Sequence, residues 1–160
     1  ANINIVNLFE QGSGPSISFE TTGFSTSDCL IDGKPEKFSE YLQNNNIDTR
    51  LPLVADYNGV NINVSIKELL NDSVEFYAPI FQNVKYQFAD PITDYVTDLD
   101  KAIASHQLPE TSFSFNCILN FLYAELENKK TAKLTGPFTF GEIAYQLLNQ
   151  TLVYLSIESN

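Results

Sequence analysis

Arginine occurs once in these 160 residues, at Arg50, and histidine once, at His106. Lysine and arginine together number nine against twenty aspartates and glutamates, for a formal net charge of −11. Proteins that follow phosphate backbones need clustered Lys and Arg to displace counterions. The basic cluster here is Lys129, Lys130 and Lys133, placed where cations complement the negative end of a helix. No direct contact with nucleic acid is therefore expected. The acidic surface serves solubility or meets a basic protein partner.

Cysteine is nearly as scarce. Cys29 and Cys117 lie far apart, and neither has a neighbour at metal-ligand spacing. Cys117 sits in an apolar pattern, where a cysteine commonly acts as a small hydrophobe, so two thiols are expected rather than a disulfide. No run of 18 apolar residues occurs, which excludes a membrane-spanning helix. Residues 1–11, ANINIVNLFEQ, place no basic segment ahead of an apolar core, so no signal peptide is expected. These features lean towards a cytoplasmic or particle-associated protein.

Catalytic signatures are missing too. GxSxG, HExxH, Walker and GxGxxG patterns do not occur, and Gly12-Ser13-Gly14 lacks the further glycine and the helix of a phosphate loop. His106 has no evident partner and reads as the end of a helix, where it meets the last carbonyls. Asp90, Asp94 and Asp98, with Asp100 close by, recur as an acidic ladder on one helix face. Side chains projecting in parallel do not converge on a cation, so the ladder reads as a solvated face. Asn63-Val64-Ser65, Asn71-Asp72-Ser73 and Asn149-Gln150-Thr151 match the glycosylation acceptor pattern, at the level chance gives in an Asn-rich chain. No catalytic, cofactor-binding or metal-binding residue is assigned, and no cofactor is expected.

What is present is apolar patterning of two periods. Residues 2–9 read as a strand or a short helix, with alternation favouring the strand, and alternation marks residues 17–21 as a strand. Asp32-Gly33 is a turn, and Pro35 opens an expected helix, PEKFSEYLQNN, with Phe38, Tyr41 and Leu42 on one face. Asn58-Gly59 marks a type I′ hairpin between residues 51–56 and 60–64. Ser65 and Glu68 suggest a capped helical turn in SIKELLND. SVEFYAPIF and NVKYQFAD read as strands, with Pro79 forcing a bulge, an edge or a break.

From Asp90 the apolar spacing changes to a period of 3.6. Asp90-Pro91 predicts a helix start, with Ile92, Tyr95, Val96, Leu99, Ala102 and Ile103 forming its stripe. Ser112 to Glu127 predicts a central helix with two apolar faces: Phe115, Ile118, Leu119, Leu122 and Leu126 on one, and Phe113, Cys117, Phe121 and Ala124 on the other. Thr139-Phe140-Gly141-Glu142 reads as a capping box opening a last helix to Ile157, with Phe138 and Ile143 as its hydrophobic staple.

The expected fold is α+β: a β-rich N-terminal half of mainly antiparallel strands, with a hairpin at Asn58-Gly59, packed on a C-terminal layer of three helices. A single domain over 1–160 is expected, with 1–89 mainly β and 90–160 mainly helical. The leading functional expectation is a non-enzymatic structural or assembly protein, such as a subunit of a homo-oligomer or a phage-type or virus-type particle, with self-association or a protein partner. The alternatives are an acidic inhibitor or nucleic-acid mimic, and a small ligand-binding domain or enzyme with an aromatic-lined pocket.

Overall fold

The structure is a computed structural model that describes residues 2–105, 112–127, 129, 136–144 and 146–156. The chain forms two compact units, Phe9–Pro91 and a discontinuous one built from Ala1–Leu8 and Ile92–Asn160. The strand β1 (Asn2–Val6) belongs to the discontinuous unit. The chain then builds the Phe9–Pro91 unit from β2 (Ile17–Ser18), β3 (Gly23–Thr26), β4 (Asp28–Ile31), β5 (Lys34–Lys37), α1 (Phe38–Asn44), β6 (Leu53–Asp56), β7 (Asn61–Val64), β8 (Ile66–Leu69), β9 (Val74–Ile80) and β10 (Lys85–Phe88).

Six of these strands form a sheet in the order β5-β4-β2-β10-β6-β7, and three form a second in the order β3-β9-β8. Two tight hairpins set the register of the larger sheet. Asp32 and Gly33 have φ of 48° and 80°, and Ile31 pairs with Lys34 across them. Asn58 and Gly59 have φ of 55° and 92°, and the Tyr57 N–H donates to the Val60 carbonyl at 2.9 Å. Two successive positive φ values define the type I′ geometry whose twist matches the flanking strands. Phe19 is the centre of the core, with the rings of Phe38, Tyr86 and Phe76 at 5.4, 5.6 and 6.0 Å.

Helix α1 buries Phe38, Tyr41 and Leu42, the face their spacing predicts. It begins later than Pro35, because Pro35 pairs with Leu30 in the outermost strand of the sheet. An edge strand tolerates a residue that lacks an N–H. The expected helical turn after Ser65 is instead β8, where Ile66 pairs with Phe76. Pro79 lies in an irregular stretch of β9: between Gly23↔Ile80 and Ser25↔Glu75, β3 advances two residues and β9 five. That is the bulge a proline inside a strand requires.

The discontinuous unit continues with α2 (Tyr95–Ser105), β11 (Ser112–Cys117), α3 (Ile118–Tyr123), β12 (Phe138–Thr139), β13 (Glu142–Ala144), β14 (Gln146–Leu148) and β15 (Leu152–Ser156). Four of its strands form a sheet in the order β1-β15-β11-β12, and β13 and β14 form a hairpin. β15 pairs antiparallel with both β1 and β11, while β12 lies parallel to β11.

The expected layer of three helices is therefore wrong, since this half of the chain is strand-rich and the helices are short. Ser112-Phe113-Ser114-Phe115-Asn116 alternates strictly, and such alternation wrapped on a helical wheel appears as two polar strips between two apolar faces. The double face was the signature of a strand. The last predicted helix is also absent. Gly141 has φ of 137°, which a helix cannot hold, and the supposed capping box spans the turn between β12 and β13. Leu152-Val153-Tyr154-Leu155 is a β-branched and aromatic run that forms β15, a strand with partners on both sides. The helix expected from Asp90 starts at Tyr95, with Tyr95, Leu99 and Ile103 buried from its predicted stripe.

Candidate functional site

The four-stranded sheet of the discontinuous unit carries none of the twenty acidic and nine basic residues of the chain. By contrast the six-stranded sheet includes Asp28, Lys34, Glu36, Lys37, Asp56 and Lys85, and the three-stranded sheet Lys67, Glu68 and Glu75. Register then sorts the uncharged side chains onto two faces. Ile3, Leu155 and Phe113 form one row across three strands, and Ile5, Val153 and Phe115 the next. The alternate residues, Asn4, Tyr154 and Ser114, and then Val6, Leu152 and Asn116, point to the other side.

Both faces are mixed: the inward one buries Val6, Leu152 and Tyr154 together with polar residues, and on the other Val153 and Cys117 are buried while three apolar side chains are exposed. Ser114 and Asn116 are buried, while Phe113 is 64% exposed, Ile3 46% and Phe115 37%. The polar face is satisfied internally. Asn4 donates through Nδ2 to Ser156 Oγ at 3.1 Å. The Asn120 side chain, at 0% exposure, lies 2.9 Å from that of Asn116. With the Asn120 amide oriented so that its nitrogen donates to the Gln150 carbonyl at 3.1 Å, its oxygen accepts from the Thr151 N–H at 3.2 Å and the Tyr95 hydroxyl at 2.9 Å. One buried amide thus ties α2, α3 and the turn before β15 to the polar face. The ring of Phe121 on α3 meets Phe138 of β12 edge-on at 4.8 Å. The helices pack on the face of Ser114 and Asn116, and on the other face Ile3, Phe113 and Phe115 are exposed.

Among its described residues this face holds one titratable group, Cys117, which is buried. What it can do is exclude water against a matching apolar surface.

The residues singled out from the sequence do not converge elsewhere. Asp90 lies outside the helix, Asp94 caps it, and Asp98 pairs with Lys101 at 3.1 Å, so no ladder forms. Asp94 accepts from the Thr97 hydroxyl at 2.7 Å and from its N–H at 3.1 Å. These bonds hold its carboxyl below the usual carboxylate range. Among the described residues no group of His, Cys, Asp and Glu is placed to hold a metal ion. Gly12 donates its N–H to the Phe88 carbonyl at 3.0 Å, and the Gly14 carbonyl accepts from Gln87 Nε2 at 2.7 Å, so this loop is bonded to β10. Lys129 caps the helix end through the Ala124 carbonyl at 3.0 Å. His106, Lys130 and Lys133 lie outside the described residues. Asn63 and Asn149 are buried, which leaves Asn71 as the exposed glycosylation match.

Cys29 and Cys117 are both buried and form no disulfide. Burial, aided by the Glu36 and Asp28 carboxylates, pushes the Cys29 thiol up to about 12. Cys29 lines a polar cleft of about 370 Å³ in the Phe9–Pro91 unit with Glu20, Thr21, Ser25, Thr26 and Asp28. No aromatic side chain lines it. A protonated thiol is not a nucleophile, so the cleft has no activated group. The sheet was missed from sequence because β11 and β15 were read as helices; the signal that could have found β11 is the Ser/Phe alternation at 112–116.

The geometry defines a strand-rich, two-unit protein with one uncharged sheet. By sequence the chain belongs to a family of unknown function, DUF6976, whose pattern matches residues 1–158. No curated protein and no solved structure matches it. Among the described residues no helix is long and apolar enough to cross a membrane.

Proposed function

We propose that this protein is a non-enzymatic structural subunit that self-associates through the uncharged four-stranded sheet. The observation that carries the reading is the outward row Ile3–Leu155–Phe113 on a sheet without a single charge, in a chain of net charge −11. Two copies repel each other wherever their acidic surfaces approach, and like charges across an interface cost several kcal/mol. An uncharged patch is where such copies meet without that cost. A basic partner would select the acidic surfaces, so the same patch disfavours the acidic-inhibitor reading.

Sedimentation velocity from about 1 to 200 μM, at low and at near-molar salt, tests the proposal. The expected result is a mass above the 17.9 kDa of one chain at the upper concentrations. Association should increase with salt, which screens the net repulsion and leaves the apolar contact intact. A monomer at every concentration and salt overturns it.

A further inference from the structure

We propose that β1 pairs antiparallel with β1 of a second copy about a two-fold axis at Asn4, joining two four-stranded sheets into one of eight. This rests on the self-association reading and names its geometry.

β1 is the end strand of its sheet, and among the described residues no strand lies beyond it. An end strand presents unpaired N–H and C=O groups, and proteins blunt such edges with charges, proline, bulges or short length. This chain does so at two other edges. The end strand β5 is Lys34-Pro35-Glu36-Lys37, with all four residues exposed. The far end of the four-stranded sheet is β12, only two residues long. β1, by contrast, is Asn2-Ile3-Asn4-Ile5-Val6, five residues with no charge and no proline, paired to β15 without a bulge. It is the unguarded edge of an uncharged sheet.

The occupant follows from charge and register. Another copy brings the same neutral strand, so neither partner carries its acidic surface into the contact. Two-fold pairing at Asn4 sets Asn2 opposite Val6 of the other copy and Ile3 opposite its Ile5. Positions of equal parity stay on one face, so the two outward apolar rows become continuous; a slip by one residue would set isoleucines against the polar face. Edge pairing adds main-chain hydrogen bonds and doubles the apolar width.

The test uses full-length chains carrying Ile3→Cys or Ile5→Cys, oxidised mildly at about 100 μM. Positions paired across antiparallel strands sit about 5 Å apart between Cα atoms, within disulfide reach. Identical positions 3 and 3, or 5 and 5, are offset along the strands by two residues, about 7 Å, and fall outside it. The expected result is a covalent dimer as the main product of the mixed variants, and little from either variant alone. Cys29 and Cys117 are buried and should add little background. Self-linking of the Ile3→Cys chain alone overturns the register. Hydrogen exchange of the unaltered protein gives a second readout: β1 amides should be protected at 200 μM and exchange at 1 μM. Dimers by sedimentation with neither the mixed cross-link nor β1 protection overturn edge pairing while leaving self-association standing. Monomers throughout overturn both.

Discussion

Phe113 and Ser114 are neighbours in β11 with opposite fates: the phenylalanine is 64% exposed and the serine 6%. Phe113 lies beside Leu155 on the outward face, and Ser114 beside Tyr154 on the inward one. The exposed aromatic and the buried hydroxyl should respond differently to substitution. Phe113→Ser should change the unfolding free energy by no more than about 0.5 kcal/mol, as exposed substitutions do. Self-association at 100 μM should fall if the apolar face itself takes part in the contact, and stay unchanged if β1 pairing alone carries it. Ser114→Leu should cost about 1–3 kcal/mol by overpacking the occupied face. Urea unfolding and sedimentation of the two variants check both halves.

Asn120 is the buried link between helices and sheet. Replacing it by Ala leaves the Gln150 carbonyl, the Thr151 N–H and the Tyr95 hydroxyl without this partner. At about 1–3 kcal/mol for each unsatisfied buried group, with some relieved by water, Asn120→Ala should cost about 2–4 kcal/mol. Tyr95→Phe removes one donor and should cost about 1 kcal/mol. Additive losses in the double variant would show that the two side chains do not act as one network.

The Phe9–Pro91 unit was largely legible because its signals are local. Asn58-Gly59 and Asp32-Gly33 require positive φ values that few other pairs supply, and the Phe38, Tyr41 and Leu42 spacing fits the buried side of one helix. The C-terminal half was not legible, for a physical reason. A stretch such as Phe140 to Leu155 places apolar residues at i, i+3 and i+4 by accident of three short strands, and periodicity alone cannot tell these from a helix. Strand pairing between β1 and β15 joins residues 2–6 to 152–156, a contact that no local pattern encodes. The outward apolar face exists only through that pairing, so it could not be read before the fold was known. The alternations at 2–6 and 112–116 were local clues to two of its strands.

Gly12 and Gly14 share a loop but differ in space. A Cβ on Gly12 would stand 2.5 Å from the Phe88 carbonyl oxygen and 2.7 Å from an Asp90 carboxylate oxygen, whereas nothing lies within 4 Å of one on Gly14. Gly12→Ala must push β10 and the Gln11–Gly14 loop apart, at about 1–3 kcal/mol. Gly14→Ala should be neutral or slightly stabilising, since it restricts the unfolded chain. Equal thermal midpoints for the two variants would contradict the close approach at Gly12.

Burial and two nearby carboxylates raise the Cys29 thiol to about 12. In the unfolded chain a thiol ionises near 8.5. Between those values the folded state holds a proton that the unfolded state has lost, so stability falls as pH rises. Iodoacetamide at pH 8 should leave the native protein unlabelled and add two labels in 6 M urea, read by intact mass. Cys29→Ala should reduce the decline in stability between pH 8.5 and 11. An unchanged slope would show that other groups dominate it.

Asp94 joins a charge effect to a cap. Its carboxylate accepts from the Thr97 hydroxyl and N–H, and both bonds favour the ionised form. Asn at this position can still cap through its amide oxygen, but it carries no charge to meet the positive end of α2. Asp94→Asn should therefore be less stable than the unaltered protein at pH 7, and Asp94→Ala less stable again. The folded carboxyl has the lower pKa, so the folded state binds fewer protons. The advantage of Asp94 over Asn is then complete above the ordinary carboxylate range near 4 and is lost as pH falls through the lower folded value. Urea midpoints for the three proteins from pH 7 to pH 3 should converge for Asp and Asn at the acid end, while Ala stays apart. A constant Asp–Asn difference across that range would show that shape, not charge, distinguishes them.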